Sequence, residues 1–194
     1  MNGLRADSGI GSRGMTLIEM LVVVVILGIL ISFAMPQIDL TRYRLNTAMH
    51  SVGSTLLAAQ RRAVTRQHDV IVMFDQANSL VRVHEDTDNN GNQDTGERVR
   101  NYPLGDNVVF ALLGAPARPF GATAITFTQM SGGLPAVTFH RNGSASEYGG
   151  FYITSRRSQL GANRPKDQRA VEIERATGRA SWFHYIPPSW SRGF

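Results

Sequence analysis

The sequence of 194 residues contains no cysteine. Neither a disulfide nor a thiolate metal site can therefore stabilise the fold, and an oxidising compartment adds nothing to its rigidity. Aromatic residues make up only 8% of the chain, which indicates a core of modest size. Rigidity must come from packing or from a bound ion.

Patterns that indicate catalysis are missing as well. The five histidines are scattered, and no two of them lie four residues apart on one predicted helix, so a zinc site is not indicated. No Gly-x-Ser-x-Gly motif, which would present a nucleophilic serine, occurs in the chain. We assign no catalytic residue and expect a protein that is not an enzyme, with no required cofactor.

The most informative feature that is present is an apolar run near the N-terminus. Between Met15 and Met35, a stretch of 21 residues, Glu19 is the only charged side chain. At about 1.5 Å per residue, a helix of this length crosses the roughly 30 Å hydrocarbon core of a bilayer. Arg5 and Arg13 favour a cytoplasmic N-terminus, which places the remainder of the chain outside the cytoplasm.

A carboxylate within such a run needs water or a cation. The free-energy cost of placing a charged carboxylate at the centre of a membrane is about 2 to 3 kcal/mol, and it is smaller near the interface. No Lys or Arg lies in the run to offset this cost. Cleavage after Gly14 would create a cation, because the new α-amine of Met15 is charged near neutral pH. Glu19 and this amine would then pair between neighbouring chains.

Two other interpretations of the run remain open. A secretory signal cut after Ala34 would have a shorter apolar region, of about 7 to 15 residues, without an acid at its start. A plain signal anchor would require neither Gly14 nor Glu19.

The segment from Arg13 to Glu19, followed by the aliphatic run and Pro36, resembles the type III signal of type IV pilins and type II secretion pseudopilins. The resemblance implies that prepilin peptidase cuts after Gly14 and N-methylates Met15. It also implies that Glu19 meets the amine of an adjacent subunit during assembly. The family usually has Phe at the position of Met15, where this chain keeps a bulky apolar residue.

The chain accordingly divides into a leader peptide (1-14), a transmembrane helix with the methylation motif (15-36) and one periplasmic globular domain (37-194). About 160 residues suffice for one domain with its own core. We expect a single-pass protein of the inner membrane that enters a pseudopilus or pilus after assembly.

Beyond Pro36 the pattern becomes amphipathic. Apolar residues recur at spacings of three and four, which predicts that one long helix continues to about residue 67, with a kink or an end of its membrane half at Pro36. The stripe consists of Leu45, Met49, Val52, Leu56, Ala59 and Ala63.

From Asp69 onward the period falls to two, which indicates short antiparallel strands. We predict strands at 70–74, 80–84, 97–101, 107–113, 123–128, 136–140, 150–154, 169–174 and 179–185. A long helix packed on antiparallel strands is an α+β fold. It is also the pilin-like architecture that the resemblance implies.

A second motif runs from Asp86 to Glu97 and matches the calcium-loop pattern D-x-D-x-N-G-x5-E. Strand-like residues flank it, however, whereas an EF-hand has helices there, so a solvated hairpin loop without metal is the alternative. Calcium is therefore a candidate cofactor. Its predicted ligands are Asp86, Asp88, Asn90, Asn92, Asp94 and Glu97.

Charge is distributed unevenly. The 86–97 loop carries a net charge of −4, whereas residues 98–194 carry eleven Arg and one Lys against five acids. The basic residues offer contacts for phosphates of DNA or for acidic subunits, but a solvated face fits them equally well.

The final strands, with Arg175 to Arg179 between them, resemble the GspH/FimT family, which contains H-type pseudopilins and FimT/FimU-type minor pilins. DNA-binding FimT members carry Gly-Arg-x-Arg at this hairpin. Here Arg179 is retained as a candidate nucleic-acid contact, but Ser181 replaces the second Arg.

We expect a non-enzymatic subunit of the periplasmic pseudopilus of a type II secretion system. A minor pilin at the tip of a type IV pilus is the first alternative, and a DNA receptor for transformation is an alternative of another class. The expected partners are other pilins or pseudopilins, prepilin peptidase and the inner membrane, with DNA as a further candidate.

Overall fold

The computed structural model describes residues 14–34, 40–162 and 164–193. The chain divides into two compact units, Met1–Asp39 and Leu40–Phe194. Pro36, where the sequence predicts a kink, lies outside the described residues, as does the link between the two halves of the predicted long helix.

The first unit contains helix α1 (Leu17–Ala34). Nothing but Glu19, Gly28 and Ser32 interrupts its aliphatic and aromatic sequence, so it has no polar face. A helix that is apolar on all sides is stable only where its surroundings are apolar too.

The second unit begins with helix α2 (Leu40–Arg66). All six residues of the predicted stripe are buried, together with Ala48 and Thr55. The helix ends where Gln67 adopts a φ of 58°, the left-handed conformation that often follows a helical C-terminus.

In the part of the chain that the structure describes, ten strands follow α2 and form two antiparallel sheets. The first sheet has the order β3-β2-β1-β6-β5 and the second the order β10-β9-β8-β7-β4. The strands are β1 (Asp69–Asp75), β2 (Leu80–Asp86), β3 (Arg98–Pro103), β4 (Val108–Phe110), β5 (Met130–Ser131), β6 (Leu134–Phe139), β7 (Gly149–Ser155), β8 (Arg169–Ile173), β9 (Ala180–Ile186) and β10 (Ser189–Arg192). A π-helical turn (Ser158–Ala162) and a 3-10 turn (Pro165–Asp167) lie between β7 and β8.

One core joins α2 and both sheets. Phe74 of the first sheet lies at its centre, with ring centroids 4.9 Å from Phe151 of the second sheet and 5.2 Å from Phe127. The buried stripe of α2 belongs to the same cluster. A helix packed on antiparallel sheets confirms the predicted α+β fold.

The predicted strand at 123–128 is wrong. Ile125 forms only an isolated bridge with Phe151, and Thr126 uses its hydroxyl as well as its backbone N–H to bond Gly150. The alternation of apolar residues here reflects packing against β7 and not a ladder. Strands β5 and β10 were not predicted, because two and four residues are too few to show a period.

Candidate functional site

The processing segment lies immediately before α1. Gly14, Met15 and Thr16 are exposed and precede the first helical residue, so the predicted cleavage point is accessible. Thr16 caps the helix: the Glu19 backbone N–H donates to Thr16 Oγ1 at 3.3 Å, and the Thr16 N–H donates to Glu19 Oε2 at 3.4 Å. This reciprocal arrangement is a capping box.

The capping box gives Glu19 a local role that the sequence reasoning missed, although its signature, Thr followed three residues later by Glu, was readable. The two bonds are long for hydrogen bonds, and the carboxylate is exposed. Glu19 therefore keeps acceptor capacity for a second partner.

The base of the 86–97 loop is organised by Glu97, whose side chain is 4% exposed. Its Oε2 lies 2.6 Å from His84 Nε2 and accepts from the Asp94 N–H at 3.0 Å. Its Oε1 accepts from the Thr87 N–H at 2.7 Å and from the Thr87 hydroxyl at 3.1 Å. Burial opposes the charge of Glu97, but the hydrogen bonds from Asp94, His84 and Thr87 prevail and lower its pKa to about 2.

The tip of the loop is organised by Asp86. Its two carboxylate oxygens accept from the backbone N–H groups of Asn90 at 3.1 Å and Gly91 at 2.8 Å. Gly91 adopts a φ of 78°, which only glycine takes without strain. The Asn90 side-chain N–H group donates to Asp88 at 2.8 Å and to Asp94 at 2.5 Å.

Three of the six predicted calcium ligands converge. One carboxylate oxygen from each of Asp86, Asp88 and Glu97 lies within 4.8 Å of the other two. Oxygens that share a calcium ion at 2.3 to 2.6 Å are about this far apart, so the donor set fits a hard cation. Asn90 and Asp94 adjoin the group through the bonds described above, but Asn90 turns its nitrogen and not its oxygen toward the acids. The Asn92 backbone N–H donates to Asn90 Oδ1 at 2.6 Å, and the predicted ligand from Asn92 is its backbone carbonyl.

Strands flank the loop, as the sequence predicted, with Glu85 of β2 opposite Arg98 of β3. Glu85 is buried and forms ion pairs with two arginines of α2: its Oε1 lies 3.3 Å from Arg62 Nη1, and its Oε2 lies 3.0 Å from Arg66 Nη1. These ion pairs fix the start of the loop beside the end of α2. Sequence reasoning missed this contact because it joins residues about twenty positions apart.

The β8–β9 hairpin places Arg179 on the surface directly after Gly178. Ser181 stands where the Gly-Arg-x-Arg pattern would have its second Arg, and its hydroxyl accepts from the guanidinium of Arg192 on β10 at 3.1 Å. A second guanidinium therefore reaches this position from another strand, which a linear motif cannot show.

Comparison with known proteins identifies the N-terminal segment. The family model described as the prokaryotic N-terminal methylation motif matches residues 11–35. The N-terminal segment is type IV pilin-like. The predicted family resemblance is thereby confirmed for this segment, whereas the individual roles of Gly14, Met15 and Glu19 stay predictions.

Among solved structures, the chain is similar to the minor pseudopilin EpsH from the type 2 secretion system of Vibrio cholerae. The two share 13% identity, the match covers 75% of this chain and 99% of that chain, and the TM-score is 0.45. No curated protein matches the sequence significantly. Among the described residues, no helix is both long enough and apolar enough to cross a membrane.

Proposed function

We propose that the chain is a non-enzymatic subunit of a pilus or pseudopilus. Prepilin peptidase cleaves it after Gly14 and methylates Met15, and residues 15–36 hold it in the inner membrane, with the domain periplasmic, until assembly. The observation that carries this proposal is the match of residues 11–35 to the N-terminal methylation motif. The apolar run that continues to Met35 supports it.

Assembly would proceed by packing of the apolar helices of neighbouring subunits. The exposed Glu19 carboxylate would set the register by pairing with the methylated amine of Met15 in the next subunit. An ion pair between helices in an apolar environment is favourable only when both partners are present, so it selects one register.

The capping box allows this assembly role to be separated from a local one. Glu19→Gln removes the charge, whereas Thr16→Ala removes the cap but leaves the carboxylate. In cells that co-express a prepilin peptidase and the partner pilins, both variants should be cleaved, and only Glu19→Gln should fail to enter filaments. Equal loss of assembly in both variants would reduce Glu19 to a helix cap.

The leading machine is the type II secretion system, with this chain as an H-type pseudopilin, and the alternative is the tip of a type IV pilus. The resemblance of the hairpin around Arg175 to Arg179 to the GspH/FimT family supports both. Deletion of the gene for this chain in the source bacterium distinguishes the two. Loss of secreted proteins with intact pili indicates a subunit of the secretion system, and loss of pili with intact secretion indicates a pilus subunit.

We also propose that the 86–97 loop binds one calcium ion. The convergence of Asp86, Asp88 and Glu97 supports this site, and Asn90 would supply its oxygen by rotating its amide. The ion would neutralise part of the net charge of −4 and hold the loop to the end of β2.

Calorimetry of the full chain in uncharged micelles tests the calcium site. Asp88→Asn should weaken calcium binding at least about tenfold, since it removes a charged ligand, whereas Asp106→Asn, an exposed acid outside the loop, should leave it unchanged. The absence of both heat and a melting shift at millimolar calcium would exclude the site.

A DNA receptor is the remaining candidate, favoured by the proximity of Arg192 to Ser181 beside Arg179. DNA binding by phosphate contacts weakens steeply with salt. Arg179→Gln should reduce the slope of the logarithm of the binding constant against the logarithm of salt concentration. Arg100→Gln, at the exposed edge strand β3, is the matched control. No binding at low salt would exclude this role.

A further inference from the structure

A groove of about 480 Å³ runs between α2 and the β8–β9 hairpin. One wall comes from α2, with Met49, Gly53 and Leu57, and the other from the hairpin, with Arg179 and Trp182. Its volume lies within the roughly 300 to 1,000 Å³ of ligand-binding clefts. All of its lining residues belong to the second unit, so the inference does not depend on cleavage or methylation at the N-terminus.

Gly53 and Trp182 form the floor of the groove. A Cβ atom on residue 53 would lie 2.9 Å from two atoms of the Trp182 ring, closer than van der Waals contact allows. The indole therefore lies directly on the helix, and the glycine makes room for it. Trp182 is half-buried against the core, which fixes a broad aromatic surface beneath the opening.

Leu57 makes the rim of the groove apolar. It projects from α2 with 47% of its surface exposed, next to the aromatic floor and outside the buried stripe of the helix. Apolar side chains that converge in a concavity, and are not merely scattered, mark binding surfaces. The shape and the apolar lining call for an occupant with aliphatic or aromatic side chains.

An arginine lies at the edge of the groove. Arg179 is exposed at the rim and has no acidic partner among the described residues. The lining residues include no Asp or Glu. None of the five arginines of α2 lines the groove, and Arg62 and Arg66 pair with Glu85. The guanidinium of Arg179 therefore favours a carboxylate on the occupant at this edge.

We propose that this groove binds an acidic amphipathic segment of a partner protein, whose apolar side chains cover Trp182 and Leu57 and whose carboxylate pairs with Arg179. Nucleic acid fits less well, since binding to a phosphate backbone uses several cations and no aliphatic wall. A second copy of the chain also fits less well, because its own acidic segment, 86–97, contains no large apolar residue.

The test uses the full chain in uncharged detergent micelles and a fluorescein-labelled peptide of eight residues built from alternating pairs of leucine and glutamate. Fluorescence anisotropy measures binding, with empty micelles as the blank. Leu57→Ser should weaken binding about tenfold through lost apolar contact, and Arg179→Gln about fivefold through the lost ion pair. Both side chains are exposed, so both variants should keep the melting temperature of the parent.

Two matched controls come from the same elements. Val64→Ser changes an exposed apolar residue on α2 outside the groove, and Arg175→Gln changes an exposed arginine on the same hairpin; both should bind within about twofold of the parent. Equal weakening by the controls would overturn the proposal. Equal binding of a peptide with glutamine for glutamate, or with serine for leucine, would overturn it too. Self-association of the chain that blocks peptide binding would overturn it as well, because a second copy would then occupy the groove.

Discussion

Truncation of Glu97 should destabilise the second unit even without a metal. Glu97 is almost fully buried and accepts four hydrogen bonds, from His84, Asp94 and twice from Thr87. His84 is itself completely buried, and its Nδ1 already lacks a partner among the described residues. Glu97→Ala would therefore leave both ring nitrogens of a buried imidazole unpaired.

The expected cost follows from these contacts. Hydrogen bonds to a charged group contribute about 1.5 to 3 kcal/mol each, and a buried polar group left unpaired costs about 1 to 3 kcal/mol. Because Thr87 is exposed, water can replace Glu97 as the partner of its N–H group. We expect a total loss of about 3 kcal/mol in the free energy of unfolding, or roughly 6–12 °C in melting temperature for a unit of this size.

Denaturant unfolding in micelles with a chelator present measures this loss. Asp94→Ala is the control: Asp94 is exposed and accepts one side-chain hydrogen bond, so its truncation should cost less than about 1 kcal/mol. Equal effects of the two substitutions, or a cost below 1 kcal/mol for Glu97→Ala, would refute the role of Glu97 in holding the loop.

Two further predictions concern the sheets. Gly150→Ala should lower the free energy of unfolding by at least about 2 kcal/mol in a denaturant titration, because its Cβ would lie far inside van der Waals contact with the Val171 carbonyl oxygen across the ladder; a near-neutral result would contradict this packing. Hydrogen bonds from Asn78 and then from Arg82 lower the pKa of Asp75 to about 2. Because folding lowers this pKa, the ionised Asp75 carboxylate stabilises the folded state above about pH 4, and this stabilisation is lost toward pH 2. The unfolding free energy of the parent should therefore fall by about 1 to 2 kcal/mol more over this range than that of Asp75→Asn, and identical slopes would exclude the effect.

Much of the fold could be predicted because its signals are local. The stripe from Leu45 to Ala63 has the period of a helix with one buried face, and all six of its residues are buried. The hairpin of β1 and β2 was predictable for the same reason, since alternating residues flank a turn in which Asp75 accepts from the Asn78 N–H at 2.9 Å.

The division into two sheets was not predictable, because it depends on contacts between distant segments. Phe74, Phe127 and Phe151 meet in the core from three separate parts of the chain, and no local period records their proximity. The groove is of the same kind, since Gly53 and Trp182 are brought together only by the packing of α2 against β9.

In the candidate sites too, local motifs could be predicted from the sequence and contacts between distant segments could not. The methylation motif and the calcium pattern are contiguous in sequence and could be recognised directly. The partners that position them, such as His84 for Glu97 and the two α2 arginines for Glu85, depend on the tertiary fold.

The central claim is processing at the N-terminus, and intact mass spectrometry tests it most directly. The chain is co-expressed with a prepilin peptidase and its mass is compared with that of a Gly14→Leu variant. The account predicts that the parent chain loses residues 1–14 and gains one methyl group on Met15, whereas the variant remains at full length. An unprocessed parent chain, or a chain cut after Ala34, would contradict the account.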